Sequence, residues 1–286
     1  MNIVNILDEI EKVDGEVYER LNPRRAAMKD FFNMGKKISL AAMPLALGSV
    51  FQKAYGQTLP TAVTEVLNFA LSLEYLEYHY YNHALEAAPL LIFPTTASRA
   101  AITTIRNHEK AHVDLLKGAL GASARAEITY AMTDFTAGGV FGNVYENYQT
   151  FLKVALAFED TGVRAYKGQA TKLKGLDVLT TALQIHSVEA RHAAHIRQMV
   201  AASVTGASAL KPWISLGTGG VSNDTGISQV DAVYVRENTD VQANVTITGI
   251  ATGVSKAVAV ESFDEALTKD EVVPIANQFL RTGFKL

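Results

Sequence analysis

Two short stretches decide how this chain folds: Glu109-Lys-Ala-His112 and Glu189-Ala-Arg-His192. Each sets an imidazole three residues after a carboxylate, inside a segment that reads as a long helix. Residues three apart on a helix project from one face, so each stretch offers an acid and a histidine to the same partner. With 17 Glu and 7 His in 286 positions, chance supplies roughly 0.4 such pairs. One match would mean little. Two, each on the second helix of a predicted hairpin, mean much more.

The surrounding pattern supports four helices. The first runs from about Pro60 to Glu86, with Pro60 tolerable in its first turn and Pro89 beyond its end. The second starts after Pro94-Thr95-Thr96 and stops at Gly118 or Gly121; the third runs from about Tyr145 to Leu173; the fourth follows Gly175 and ends before Gly206. A long Gly-, Thr- and Ala-rich connection separates the second from the third. Short loops force antiparallel neighbours, while a long middle connection lets the second hairpin cross over.

The first and third helices each carry one acid within an apolar run, Glu74 in Ala70-Leu-Ser-Leu-Glu74 and Glu159 in Ala155-Leu-Ala-Phe-Glu159. Each acid has a tyrosine seven residues on, Tyr81 and Tyr166, two turns and about 10 Å along the same face. The plan is therefore an internal repeat of about 80 residues: apolar run, Glu, Tyr, loop, Glu-x-x-His.

Composition narrows the chemistry. The chain weighs 30.9 kDa, with pI ≈ 6.2; it is 48% apolar, with 26 Lys and Arg against 29 Asp and Glu. That length and apolar content predict one main core plus a smaller appendage, and the near balance of charge argues against a nucleic-acid binder. Cysteine is absent, which excludes disulfides, thiolate zinc sites, iron–sulfur clusters and a Cys nucleophile. Any metal must be held by Asp, Glu and His. Four carboxylates in an apolar bundle would repel one another and be driven towards protonation. Two divalent cations reverse this, because about four positive charges meet about four negative ones. Ligation by carboxylate and imidazole suits iron or manganese, with zinc also compatible.

Glu74, Glu109-x-x-His112, Glu159 and Glu189-x-x-His192 resemble the ligand set of the ferritin-like di-iron carboxylate bundles, one Glu from each of two helices and one Glu-x-x-His from each of the others. Leu73-Glu74 with Tyr81 and His83-Ala84 is similar to the first helix of bacterioferritins. The Gly/Thr-rich linker, leader and C-terminal region look more like ferritin-like proteins related to desiccation-related protein. The resemblance implies a mainly α fold: a ferritin-like antiparallel four-helix bundle with a long crossover between helices 2 and 3. It also implies two metal ions, with Glu109 and Glu189 bridging, Glu74 and Glu159 terminal, and His112 and His192 supplying one imidazole each.

The domains expected are a leader over residues 1–56, the bundle over 57–205 and a small β-rich C-terminal region over 206–286 that ends in a helix. The leader carries Arg24-Arg25 and an uncharged run from Ile38 to Gln52, with small residues at Ala54-Tyr55-Gly56. The run is too short to span a bilayer, which takes about 20 apolar residues, but it has the length of a signal-peptide core. It resembles a degenerate twin-arginine export signal with Asp30 and Ala27 as departures, which points to the periplasm; an N-terminal amphipathic helix in a cytoplasmic protein is the alternative. In the C-terminal region, Val241 to Thr248 alternates apolar and polar and reads as a strand, with Asp231–Val235 and Lys256–Val260 as weaker candidates. Ser262–Glu265 and Thr268–Glu271 both fit a capping box.

Around the six expected ligands, Glu77, Tyr81, Tyr166 and His186 are candidates for an outer shell. Glu77 lies one turn after Glu74 and rivals it, but the repeat aligns Glu74 with Glu159. His79, His83, His108 and His195 have no carboxylate at ligand spacing and read as surface or hydrogen-bonded core residues. The expected function is a di-metal oxidoreductase acting on Fe(II), O2 or peroxide, as a ferroxidase or a peroxide scavenger in stress protection. The alternative is a non-catalytic exported protein that binds metal and protects. Small oxidants or metal ions are the expected partners, with no nucleic acid and no membrane span in the mature chain; self-association into a homo-oligomer fits the fold, whereas storage would need a cage.

Overall fold

A computed structural model describes residues 59–86, 90–217 and 228–286. The leader, residues 1–56, and with it the export reading, lies outside the described residues. Four long helices form the bundle: α1 (Thr61–Glu86), α2 (Thr96–Leu120), α3 (Tyr148–Ala170) and α4 (Val178–Ser203). Two start on side-chain caps. Thr95 and Ser98 bond each other's backbone amides in a capping box, and Asn147 accepts from the Thr150 amide, satisfying donors that a helix start leaves open.

Cross-helix contacts give the directions. Arg99 bonds the Leu85 carbonyl while Asn68 bonds that of Ser123, so α1 and α2 are antiparallel. Tyr81 reaches Glu159 and Tyr166 reaches Glu74, so α1 and α3 are antiparallel. Hence α2 and α3 point the same way, and the chain must travel the length of the bundle between them. The 25 residues of α2 rise about 37 Å, and residues 121–147 make that return journey. The long crossover is thus a geometric necessity of the helix directions.

Most of helix α3 is buried. One face, with Glu159, Gly162 and Tyr166, looks into the bundle. The opposite face receives the C-terminal region. The buried guanidinium of Arg164 bonds the carbonyls of Val233, Val235 and Glu265 and pairs with Glu237 at 2.8 Å. Asp160 takes hydrogen bonds from Arg197 and from Tyr234. At Gly168 an added Cβ would lie 1.8 Å from the Leu267 carbonyl oxygen, so the last segment rests directly on the helix backbone. Phe279 packs against Phe158 with ring centroids 4.6 Å apart, and the crossover joins it through Asp134, whose amide donates to the Phe279 carbonyl.

The C-terminal region contains a strand pair and a closing helix, α6 (Lys269–Asn277), started by the expected Thr268–Glu271 capping box. Its details differ from the sequence reading. Val241–Thr248 is not one strand: Val241–Gln242 (β1) and Val245–Thr246 (β2) pair antiparallel around Ala243 and Asn244, both at positive φ (49° and 66°), as a two-residue hairpin turn requires. Val241 and Val245 are exposed, so the alternation did not mark a buried face. Ser228–Tyr234 is a 3-10 helix, and Lys256–Glu261 is an α-helix (α5) capped by Ser255. No helix begins at Ser262; the Glu265 amide is satisfied instead by Glu237. Among the described residues, no helix is long and apolar enough to cross a membrane.

Candidate metal centre

The bundle brings the six expected ligands together at mid-height, one pair or one acid from each helix. Glu74, Glu109, Glu159 and Glu189 are fully buried, and His112 and His192 nearly so. They form two overlapping sets, Glu74, Glu109, His112, Glu189 and Glu109, Glu159, Glu189, His192, whose donor atoms lie within 4.8 Å of one another. Glu109 and Glu189 belong to both.

The spacing within each set has a physical meaning. Nδ1 of His112 lies 3.1 Å from Glu74, 3.0 Å from Glu109 and 3.2 Å from Glu189. Nδ1 of His192 lies 2.9 Å from Glu109 and 3.2 Å from Glu159. One ring N–H cannot serve three carboxylates. Glu109 Oε1, Glu159 Oε2, both oxygens of Glu189 and His192 Nδ1 are buried without a properly directed hydrogen bond. Atoms around one ion at about 2.1 Å sit about 3.0 Å from their neighbours. The cluster therefore has the spacing of a coordination shell, and its unsatisfied oxygens call for cations. These groups can hold metal ions, and the arrangement is compatible with a di-metal site.

Without ions the centre is a store of protons. Burial pushes Glu74 up to about 7, against the pull of His112. Burial and the neighbouring Glu109 carboxylate push Glu189 well above the ordinary range. Burial would raise Glu109 too, but hydrogen bonds and charge from His112 and His192 outweigh it and hold it low. Burial disfavours the charged form of His192, yet Glu159 and Glu109 overcome this and lift it to about 11.

The tyrosines act across the bundle. Tyr81 donates to Glu159 and Tyr166 to Glu74. Two turns separate each tyrosine from the acid on its own helix, too far for a bond; the antiparallel neighbour brings the other acid within reach. Glu77 is buried but outside both ligand sets. It fills space left by Gly162: a Cβ there would lie 3.1 Å from Glu77 Oε1 and 2.9 Å from Glu189 Oε2. Glu77 and Gly162 occupy equivalent places in the two repeats, three residues after Glu74 and Glu159, and the small residue makes room for the large one. His186 is not in the cluster; its Nδ1 donates to the Val163 carbonyl at 3.0 Å, and it lines a groove beside Asp160 and Arg197. His79 pairs with Glu127, and His83 stacks on Tyr130. Sequence reading missed Gly162, and it missed the buried cations Arg164 and Arg197. A glycine one turn after a ligand acid was the available signal for the first.

A crossed four-helix bundle whose interior holds four carboxylates and two imidazoles is an arrangement that could hold metal ions. The model of one family, described as ferritin-like domain, matches residues 62–202, so this part of the chain is a ferritin-like domain. No curated protein and no solved structure matches it.

Proposed function

We propose that this protein is a di-metal oxidoreductase that acts on Fe(II), O2 or peroxide. The observation that carries the reading is the pair of ligand sets sharing Glu109 and Glu189, since shared carboxylates hold two ions close together. Iron fits the donor set best, and manganese or zinc is compatible with it. When bound, two iron or manganese ions supply two electrons to an oxidant.

The chain's own residues set the conditions. Glu109 and Glu189, common to both sets, would be shared by the two ions, Glu74 and Glu159 would each serve one of them, and His112 and His192 would give one imidazole to each. The hydroxyls of Tyr81 and Tyr166 fix Glu159 and Glu74, so these carboxylates are oriented before any ion arrives, as a ligand shell requires. The apolar walls exclude water and strengthen every charge interaction inside.

Aerobic purification, metal analysis by mass spectrometry, and assays of Fe(II) oxidation and peroxide loss test the reading. Bound metal with neither activity favours the protective, non-catalytic alternative. Absence of bound iron, manganese or zinc after reconstitution removes both. We further propose export, on the arginine pair and uncharged run of the leader; immunoblotting of cell fractions decides it.

A further inference from the structure

The two halves of the centre repeat one plan, and one polar contact breaks the symmetry. His192 Nε2, the nitrogen facing away from the carboxylates, lies 2.9 Å from Nδ1 of His108, and the two rings stack at 15° with centroids 5.2 Å apart. His108 precedes Glu109 on α2 and is exposed. Its place in the second repeat, the residue before Glu189, is taken by Val188, which has no atom to bond an imidazole. Among the described residues, none hydrogen-bonds the outward Nε2 of His112, and His112 is the more exposed of the two rings, at 8% against 4%.

An imidazole that gives Nδ1 to a metal carries its proton on Nε2 and donates it. His192 therefore donates to His108, which must present a bare Nδ1 and keep its own proton on the solvent side. The bond fixes the tautomer and the plane of the His192 ring. Partners of this kind change metal affinity by about 10–100-fold. His112 lacks one.

We propose that His108 is a positioning residue for His192 and that it makes the two metal positions unequal: a tightly held ion on the His192 side and a readily exchanged ion on the His112 side. The inference rests on the di-metal reading above. It assigns to one half of the centre a resident ion and to the other the position where a metal substrate can enter and leave.

The test uses the full chain, stripped with chelator and titrated with Co(II) by calorimetry and visible absorption. The wild type is expected to bind two ions in separable steps. His108→Val, which copies the second repeat, is expected to weaken the tighter step about 10–100-fold and leave the weaker one unchanged. His108→Gln, whose amide oxygen can accept the His192 proton, is expected to recover most of the loss. Two equal steps in the wild type, an unchanged tight step in His108→Val, equal weakening of both steps, or no recovery by His108→Gln overturns the inference alone. A wild type that binds fewer than two ions overturns the di-metal reading as well. The site of His108 is at the surface, so the variant's fold is checked by its helical circular dichroism.

Discussion

Replacing Gly162 with alanine separates the needs of the metal centre from those of the fold. In the middle of α3, alanine is favoured over glycine by about 0.5–1 kcal/mol. The new Cβ would stand 2.9 Å from Glu189 Oε2 and 3.1 Å from Glu77 Oε1, where ordinary contact begins at 3.4 Å. Both carboxyl groups end flexible side chains. In the ion-free protein they can turn aside, so stability should stay level or rise by up to about 1 kcal/mol. With ions bound, Glu189 cannot move without leaving its place in both ligand sets. A displacement of roughly 0.5 Å is the tolerance of a working site, and the expected loss of affinity is about 10–100-fold. At a metal concentration of 100 times the wild-type Kd, each ion stabilises the wild type by about 2.7 kcal/mol; at Kd values 10 and 100 times weaker the same concentration gives about 1.4 and 0.4 kcal/mol. Urea unfolding with and without Mn(II) reads both numbers. The variant should be at least as stable as wild type when stripped and should gain less from metal. An undiminished metal gain in Gly162→Ala would falsify the placement of Glu189 in the ligand shell.

Gly168→Ala should do the reverse: its Cβ would overlap the Leu267 carbonyl, so the C-terminal segment must lift, at about 1–3 kcal/mol or more. Limited proteolysis should then cut beyond residue 230 while metal binding survives; resistance equal to wild type contradicts the docking. Glu109→Ala removes a donor from both sets and should abolish binding of at least one ion, whereas His83→Ala, stacked on Tyr130 away from the centre, should leave metal content unchanged; equal content in the two variants sinks the assignment. The pH dependence follows from Glu74, raised from 4.5 to about 7 by burial. A raised carboxyl gives its stability below its unfolded value and loses it as pH climbs through the folded one. Between about pH 4.5 and 7 the ion-free protein should therefore lose stability while metal, which displaces those protons, binds better. The Tm gap between loaded and stripped protein should widen over that window, and a constant gap refutes the buried-proton picture. Loading should also release protons from both histidines, visible as a buffer-dependent heat in calorimetry.

Much of the bundle was legible because its signals are local. Glu-x-x-His works at one-turn spacing, and glycine and proline punctuate the helices, so the ends fall within a few residues of those expected. The same local logic failed in the C-terminal region. Alternation from Val241 to Thr248 says how side chains would point along a strand, but it does not say whether a neighbouring strand exists to pair with. Among the described residues none does beyond its own hairpin, and the valines face water. Val233 and Tyr234 are buried side by side against α3 in a 3-10 helix, a pattern that reads equally well as a strand.

The residues of one chain segment determine by themselves which atoms share a helix face, because helix geometry is the same everywhere. So six candidate ligands, their division between two repeats and the exclusion of sulfur chemistry can be read from the sequence alone. Only the packed bundle decided which faces meet. It gave Tyr81 to Glu159 and Tyr166 to Glu74, opened room for Glu77 at Gly162, and set His108 beside His192 across 84 residues of chain. Contacts between helices depend on direction, register and separation together, and no spacing within a single helix contains them.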